Sequence, residues 1–206
     1  KKYYYRIISG GTDATRVGRC IELLAEGSEL IAANSGKGAK AGVLWTSPQA
    51  AEGAANYDNQ WWSLEEDPNN TGKYALVCKA QPNGSVKANP TATNTGGRWT
   101  YDNNAKHYNF TLGAGAYGKK GNNYYYSLSS DKVNGQYLNS SMSGQGLAVN
   151  VYSNPNDGAG GQWEFSPFEN YGSTETPVTF DYLVEGKAYT FSNAVEGFEG
   201  LALVDD

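Results

Sequence analysis

The feature that most constrains this chain is a recurrence. A tryptophan followed two residues later by another bulky apolar or aromatic residue occurs as Trp62/Leu64, Trp99/Tyr101 and Trp163/Phe165. Each copy follows a turn-rich run: residues 56–59 (Asn-Tyr-Asp-Asn), 94–97 (Asn-Thr-Gly-Gly) and 158–161 (Gly-Ala-Gly-Gly). Side chains two apart share one face of a strand, so each copy is a strand leaving a turn with its large groups on one side. Three copies in one chain point to a threefold design.

The repeat is wider than the tryptophans. Residues 3–9 answer to 124–130, residues 18–22 to 135–139, and residues 43–48 to 150–155. Gln60-Trp61-Trp62 answers to Gly161-Gln162-Trp163. The middle unit offers strands at 73–79 and 84–88 before Trp99, and no clear third strand. Residues 107–112 either supply the missing strand or belong to an insertion before Tyr124.

Composition agrees with many short strands. Hydrophobic residues make up 39% of the 206, and 26 residues are glycine. With little aliphatic material, the 16 tyrosines and 5 tryptophans must fill the core. Such aromatic content argues against a disordered chain. The length suits one domain, or one domain plus an appendage. The best helical stretch, residues 20–33, contains Gly27 and reads equally as two strands around a turn.

The net charge of -5 is scattered, and no basic face is visible, which argues against nucleic acid as a partner. No apolar run approaches the roughly 18 residues of a membrane span, so no membrane insertion is expected. Lys1-Lys2-Tyr3 leads straight into a strand with no signal-peptide pattern, and a trimmed N-terminus is expected. Cys20 and Cys78 are too few for a disulfide scaffold; each is either a buried free thiol or half of a bridge between the first two units.

Residues 113–123 are glycine-rich and expected as a surface insertion, with Lys119-Lys120 at its solvated tip. After Phe168 the pattern breaks. Residues 169–177 have linker composition, and two strand-like runs follow at 178–184 and 187–191. That tail is either a hairpin packed on the repeats or the start of a further domain. Domain limits are therefore set at 1–168 and 169–206.

Four short strands per unit, three units and a closing Q-x-W resemble the ricin-B-type lectin family over residues 1–168. The full motif is met by Gln60-Trp61-Trp62, while Gly97 and Gly161 stand in the glutamine slot of the other units. The resemblance implies an all-β fold, a β-trefoil of three four-stranded repeats, here with a short C-terminal β appendage. It also implies a sugar site built from an acid on the second strand, an aromatic at the end of the third, and an Asn before the Q-x-W. Carried onto this sequence, the first unit offers Glu22, Trp45, Asn59 and Gln60, and the third offers Asn139, Tyr152 and Gln162. Glu22 is one methylene longer than the family's Asp, which puts the usual galactose preference in doubt. The second unit has no aromatic in the right place and is expected to hold no sugar.

Each residue also has a purely structural role open to it. Trp62, Trp99 and Trp163 are expected in the core. Trp45 is either a core plug or a stacking platform, and Gln60 is expected to tie loop backbone together. For catalysis the sequence offers little. His107 is the one histidine, no cluster has metal-ligand spacing, and neither a G-x-S-x-G elbow nor a phosphate loop is present. Residues 65–67 carry adjacent acids that suit a turn better than a glycosidase pair. The resulting expectation is a non-catalytic carbohydrate-binding module without cofactor or metal, on a secreted, periplasmic or cell-surface protein, serving an attached catalytic domain or a glycan-capture assembly. The alternatives are a protein-binding trefoil, protease-inhibitor-like or adhesive, and a structural spacer with degenerate sugar sites.

Overall fold

The computed structural model describes residues 3–12, 14–92, 97–120, 123–132, 137–140, 147–154 and 160–167. The expected linker and β appendage after residue 168 lie outside the described residues. Twelve strands follow in order. The first repeat contains β1 (Tyr5–Ser9), β2 (Cys20–Leu23), β3 (Leu44–Ser47) and β4 (Trp62–Asp67). The second contains β5 (Asn70–Cys78), β6 (Ser85–Ala88), β7 (Trp99–Asp102) and β8 (Thr111–Lys120), and the third β9 (Asn123–Ser129), β10 (Tyr137–Ser140), β11 (Val149–Tyr152) and β12 (Trp163–Pro167). One short helix, α1 (Glu29–Asn34), lies between β2 and β3.

The pairing is that of a β-trefoil. The first and fourth strands of successive repeats form a barrel: β1 pairs with β4 and β12, β4 with β5, β8 with β9, and β9 with β12. A single bridge, Tyr74 to Phe110, joins β5 to β8. The second and third strands of each repeat form three hairpins, β2–β3, β6–β7 and β10–β11. Closing the barrel removes most free strand edges, which an all-β chain must otherwise protect.

The threefold design is visible residue by residue. Tyr5, Tyr74 and Tyr126 face Trp62, Phe110 and Trp163 at the three closures. Two residues on, Ile7, Leu76 and Leu128 are fully buried, as are Ile21, Val86 and Leu138 in the hairpins. Period-2 alternation puts each set on the inner face. Burying one such side chain contributes about 1.5–3 kcal/mol, so these layers dominate the core's stability. The Trp62 indole donates to Ile21 O at 2.9 Å, and Trp163 donates to Leu138 O, the matching carbonyl of the third repeat, at 3.0 Å.

Trp99 breaks this scheme and corrects the sequence reading. It lies in the third strand of its repeat, and its indole donates across to Asn150 O at 2.9 Å. The closing aromatic of the second repeat is Phe110, whose ring lies 5.2 Å from that of Trp99. The missing strand thus begins just after Phe110, and Tyr108, not Gly97, precedes the closing aromatic by two residues.

Two further segments take definite form. Residues 113–120, expected as a glycine-rich insertion, are strand: they continue β8 along β9, with a register shift between Ala114 and Lys119. A Cβ at Gly113 would stand 2.8 Å from Ser127 Oγ, so a larger residue there must turn the serine hydroxyl aside. Residues 20–33 become a strand and then a helix, in which Leu30 and Ile31 pack on the cluster around Trp45 and do not pair as a strand. Cys20 and Cys78 are both buried free thiols.

Candidate functional site

The β2–β3 hairpin builds the candidate site. Its inner face carries Ile21, Leu23 and Leu44 into the core. Its outer face carries Cys20, Glu22, Trp45 and Ser47, with Glu22 directly opposite Trp45 and Cys20 opposite Ser47. An outer face normally meets water. Here two insertions cover it, residues 28–42 at one end and 48–60 at the other.

Trp45 is fully buried in a second apolar cluster with Leu24, Ala39, Val43 and Ala148, against which Leu30 and Ile31 pack. The α1 segment and the third-repeat hairpin close over the indole, so it plugs the core and presents no stacking face. The expectation of Trp45 as a sugar platform is corrected on that ground.

Glu22 is 1% exposed, and its Oε2 accepts from Ser47 Oγ, from Asn56 Nδ2 at 2.9 Å and from Gln60 Nε2 at 2.8 Å. Gln60 is also fully buried. Its amide nitrogen reaches Pro48 O at 2.9 Å, and its oxygen accepts from Ala50 N at 2.8 Å and from the Cys20 thiol at 3.1 Å. Gln60 therefore ties the 48–60 loop to the hairpin. Arg6 braces the loop from behind. Its guanidinium donates to Ala50 O and stacks over Trp61 and Tyr57, 4.7 and 5.2 Å from the ring centroids.

In front of this lock lies a cleft of about 640 Å³. Glu22 forms part of its lining, with Asn56, Asn59, Ser47 and residues 48–50 on one side and residues 25–30 on the other. Asn59 is half-buried, and its side-chain amide has no hydrogen-bond partner among the described residues. The cleft thus unites Glu22 and Asn59. Gln60 lies behind the wall, and Trp45 is outside it. Asn56 and Ser47 were missed by sequence reasoning. Asn56 sits in a turn whose polarity is obvious, yet nothing local says that it reaches back 34 positions to Glu22. Among the described residues the cleft has no aromatic in its lining; Pro48, Ala50, Ala55 and Leu30 supply the apolar surface.

The third repeat is built differently. Asn139 occupies the position of Glu22, opposite Asn150. The strand register makes Asn150 the counterpart of Trp45, and Tyr152 that of Ser47; the matching of Tyr152 to Trp45 is corrected by two positions. Tyr152 is 44% exposed, whereas Asn139 and Gln162 are buried. Arg16, from the first repeat, is buried here and donates to Ser140 O at 3.2 Å. A Cβ on Gly160 would meet Asn139 Oδ1 at 2.8 Å and Arg16 Nη1 at 2.9 Å, so the space beside Asn139 is filled by protein. In the second repeat Lys87, opposite Thr100, stands where Glu22 stands in the first.

His107 lies elsewhere, its Nε2 2.8 Å from Asp102 Oδ2, and its imidazole holds the Asp102 carboxyl below the usual range. Burial pushes both thiols, Cys20 and Cys78, up to about 12. Among the described residues no group of three or more His, Cys, Asp or Glu is placed to hold a metal ion.

Comparison with known proteins supports the fold. A solved structure described as "BEL beta-trefoil apo crystal form 3" is similar to this chain with a TM-score of 0.54. The match has 14% sequence identity and covers 81% of this chain and 93% of that one. At that identity the likeness speaks for the fold alone, which the pairing of the twelve strands already defines as a β-trefoil. No protein-family model matches the sequence, and no curated protein matches it.

Proposed function

We propose that this chain is a non-catalytic carbohydrate-binding module of the ricin-B-like kind, holding glycan in the first-repeat cleft. The observation that carries the reading is the free amide of Asn59 in the same open cleft as the anchored carboxylate of Glu22. A sugar hydroxyl both donates and accepts, and a side-chain amide, with its carbonyl oxygen and its NH2, answers both needs. The lock of Ser47, Asn56 and Gln60 fixes Glu22 before ligand arrives, which lowers the ordering cost of binding.

Without an aromatic floor, apolar contact falls to Pro48, Leu30 and the alanines. Affinity is then in the millimolar range, about -4 kcal/mol, and useful retention needs several modules or an attached partner domain. A secreted, periplasmic or cell-surface setting, where such a domain meets polysaccharide, fits this reading. The third repeat, packed by Arg16, drops out as a second site.

One observation favours a structural spacer instead: Glu22 Oε2 already accepts from three protein donors. A glycan array followed by titration separates the two. The lectin reading expects at least one oligosaccharide to bind, and Asn59→Ala to weaken it about tenfold with unchanged thermal stability. An array without hits, or hits indifferent to Asn59→Ala, would overturn it.

A further inference from the structure

The charge around the first-repeat cleft narrows the ligand. Among its described lining residues the ionisable side chains are Glu22, Glu26 and Glu29, and neither lysine, arginine nor histidine is present. Glu22 lies at the floor, while Glu26 and Glu29 stand exposed on the opposite rim, beside Ser28. Cations on the neighbouring strands and loops are engaged by protein. Arg6 donates to Ala50 O and, at 3.4 Å, to Gln49 Oε1, and Arg19 donates to Thr46 O at 2.7 Å. Lys79 is paired with Asp58 at 2.6 Å. Low-dielectric walls around charges of one sign focus their field into the opening.

We infer that the cleft selects glycans bearing a free amino group, a hexosaminium residue, and rejects uronates and other acidic sugars. This rests on the glycan-binding reading above and adds the substrate class to it. The ammonium meets the exposed carboxylates of Glu26 and Glu29 on the rim, with the buried Glu22 adding its field from the floor, while the Asn59 amide and Ser28 remain for hydroxyls. Acetylating the amine removes the charge and adds bulk. A carboxylated sugar brings like charge against three glutamates, with no cation in the lining to offset it.

The test is calorimetric titration of the whole chain with three oligosaccharides of equal length: β-1,4-linked glucosamine, its fully N-acetylated form, and oligogalacturonate. The expected result is about tenfold tighter binding of the glucosamine oligomer than of the acetylated one, roughly what two unit charges supply across an assumed separation of about 6 Å of water. Oligogalacturonate should not bind. The preference should shrink at high salt and vanish in the double variant Glu26→Gln/Glu29→Gln, whose exposed positions leave folding intact. Putrescine serves as a sugar-free cation. Equal or tighter binding of the acetylated oligomer, or any binding of the uronate, would overturn this inference and leave the glycan reading standing. Failure of all three sugars would overturn this inference, and together with an array without hits the glycan reading too; putrescine binding as well as the glucosamine oligomer would overturn both.

Discussion

Replacing Trp45 by alanine separates a core plug from a ligand platform. The indole is fully buried against Leu24, Ala39, Val43 and Ala148. A tryptophan side chain of about 200–250 Å² at about 25 cal/mol per Å² gives an upper transfer term near 5–6 kcal/mol. Measured Trp→Ala changes in cores run at about 3–5 kcal/mol. For a domain of this size each kcal/mol lowers Tm by about 2–4 °C, so Trp45→Ala should lose roughly 6–20 °C. Urea denaturation of wild type and variant gives the free energy directly. Trp45→Phe, which keeps most of the plug, should fold and bind glycan within about twofold of wild type. A loss below about 1 kcal/mol in Trp45→Ala, together with abolished binding in Trp45→Phe, would refute the burial argument and restore the platform.

Three further outcomes follow from the same structure. Gln60→Ala should cost about 2–4 kcal/mol in urea denaturation, because it strips partners from Glu22 Oε2, Pro48 O and Ala50 N at once. Both thiols, raised to about 12 by burial, should resist iodoacetamide at pH 8 in the folded protein and react only in denaturant. Asp102 is held below its ordinary carboxyl range by His107, so its contribution is present above the unfolded value of about 3.9 and is lost as pH falls through the lower folded value. The stability gap between wild type and Asp102→Asn should therefore be open at pH 6 and closed in strong acid, as read from urea midpoints.

Much of the fold was legible because the strands repeat. Trp62 and Trp163 stand at matching closures, and residues 3–9 match 124–130 in the register that the pairing shows. The second repeat was harder to see. Phe110 replaces the tryptophan there, and Trp99 mimics the motif from a different strand, since alternation alone cannot tell a third strand from a fourth. The offset of Tyr152 against Trp45 arose from matching aromatics, whereas backbone pairing fixes register. At the site, the family pattern brought Glu22, Asn59 and Gln60 together although they are far apart in sequence. It could not reveal that the 28–42 insertion would bury Trp45, because alternation marks a face and not what covers it. Nor could it show Arg16 crossing from the first repeat to fill the space beside Asn139.

The most direct measurement is the NMR footprint of a glucosamine oligosaccharide on isotopically labelled protein, with the side-chain amides of Asn56 and Asn59 resolved. Shifts should concentrate in residues 22–30, 47–50 and 56–59, with the Asn59 amide moving most. Shifts centred on Tyr152 or His107, with those two amides unmoved at saturation, would contradict a site in the first-repeat cleft.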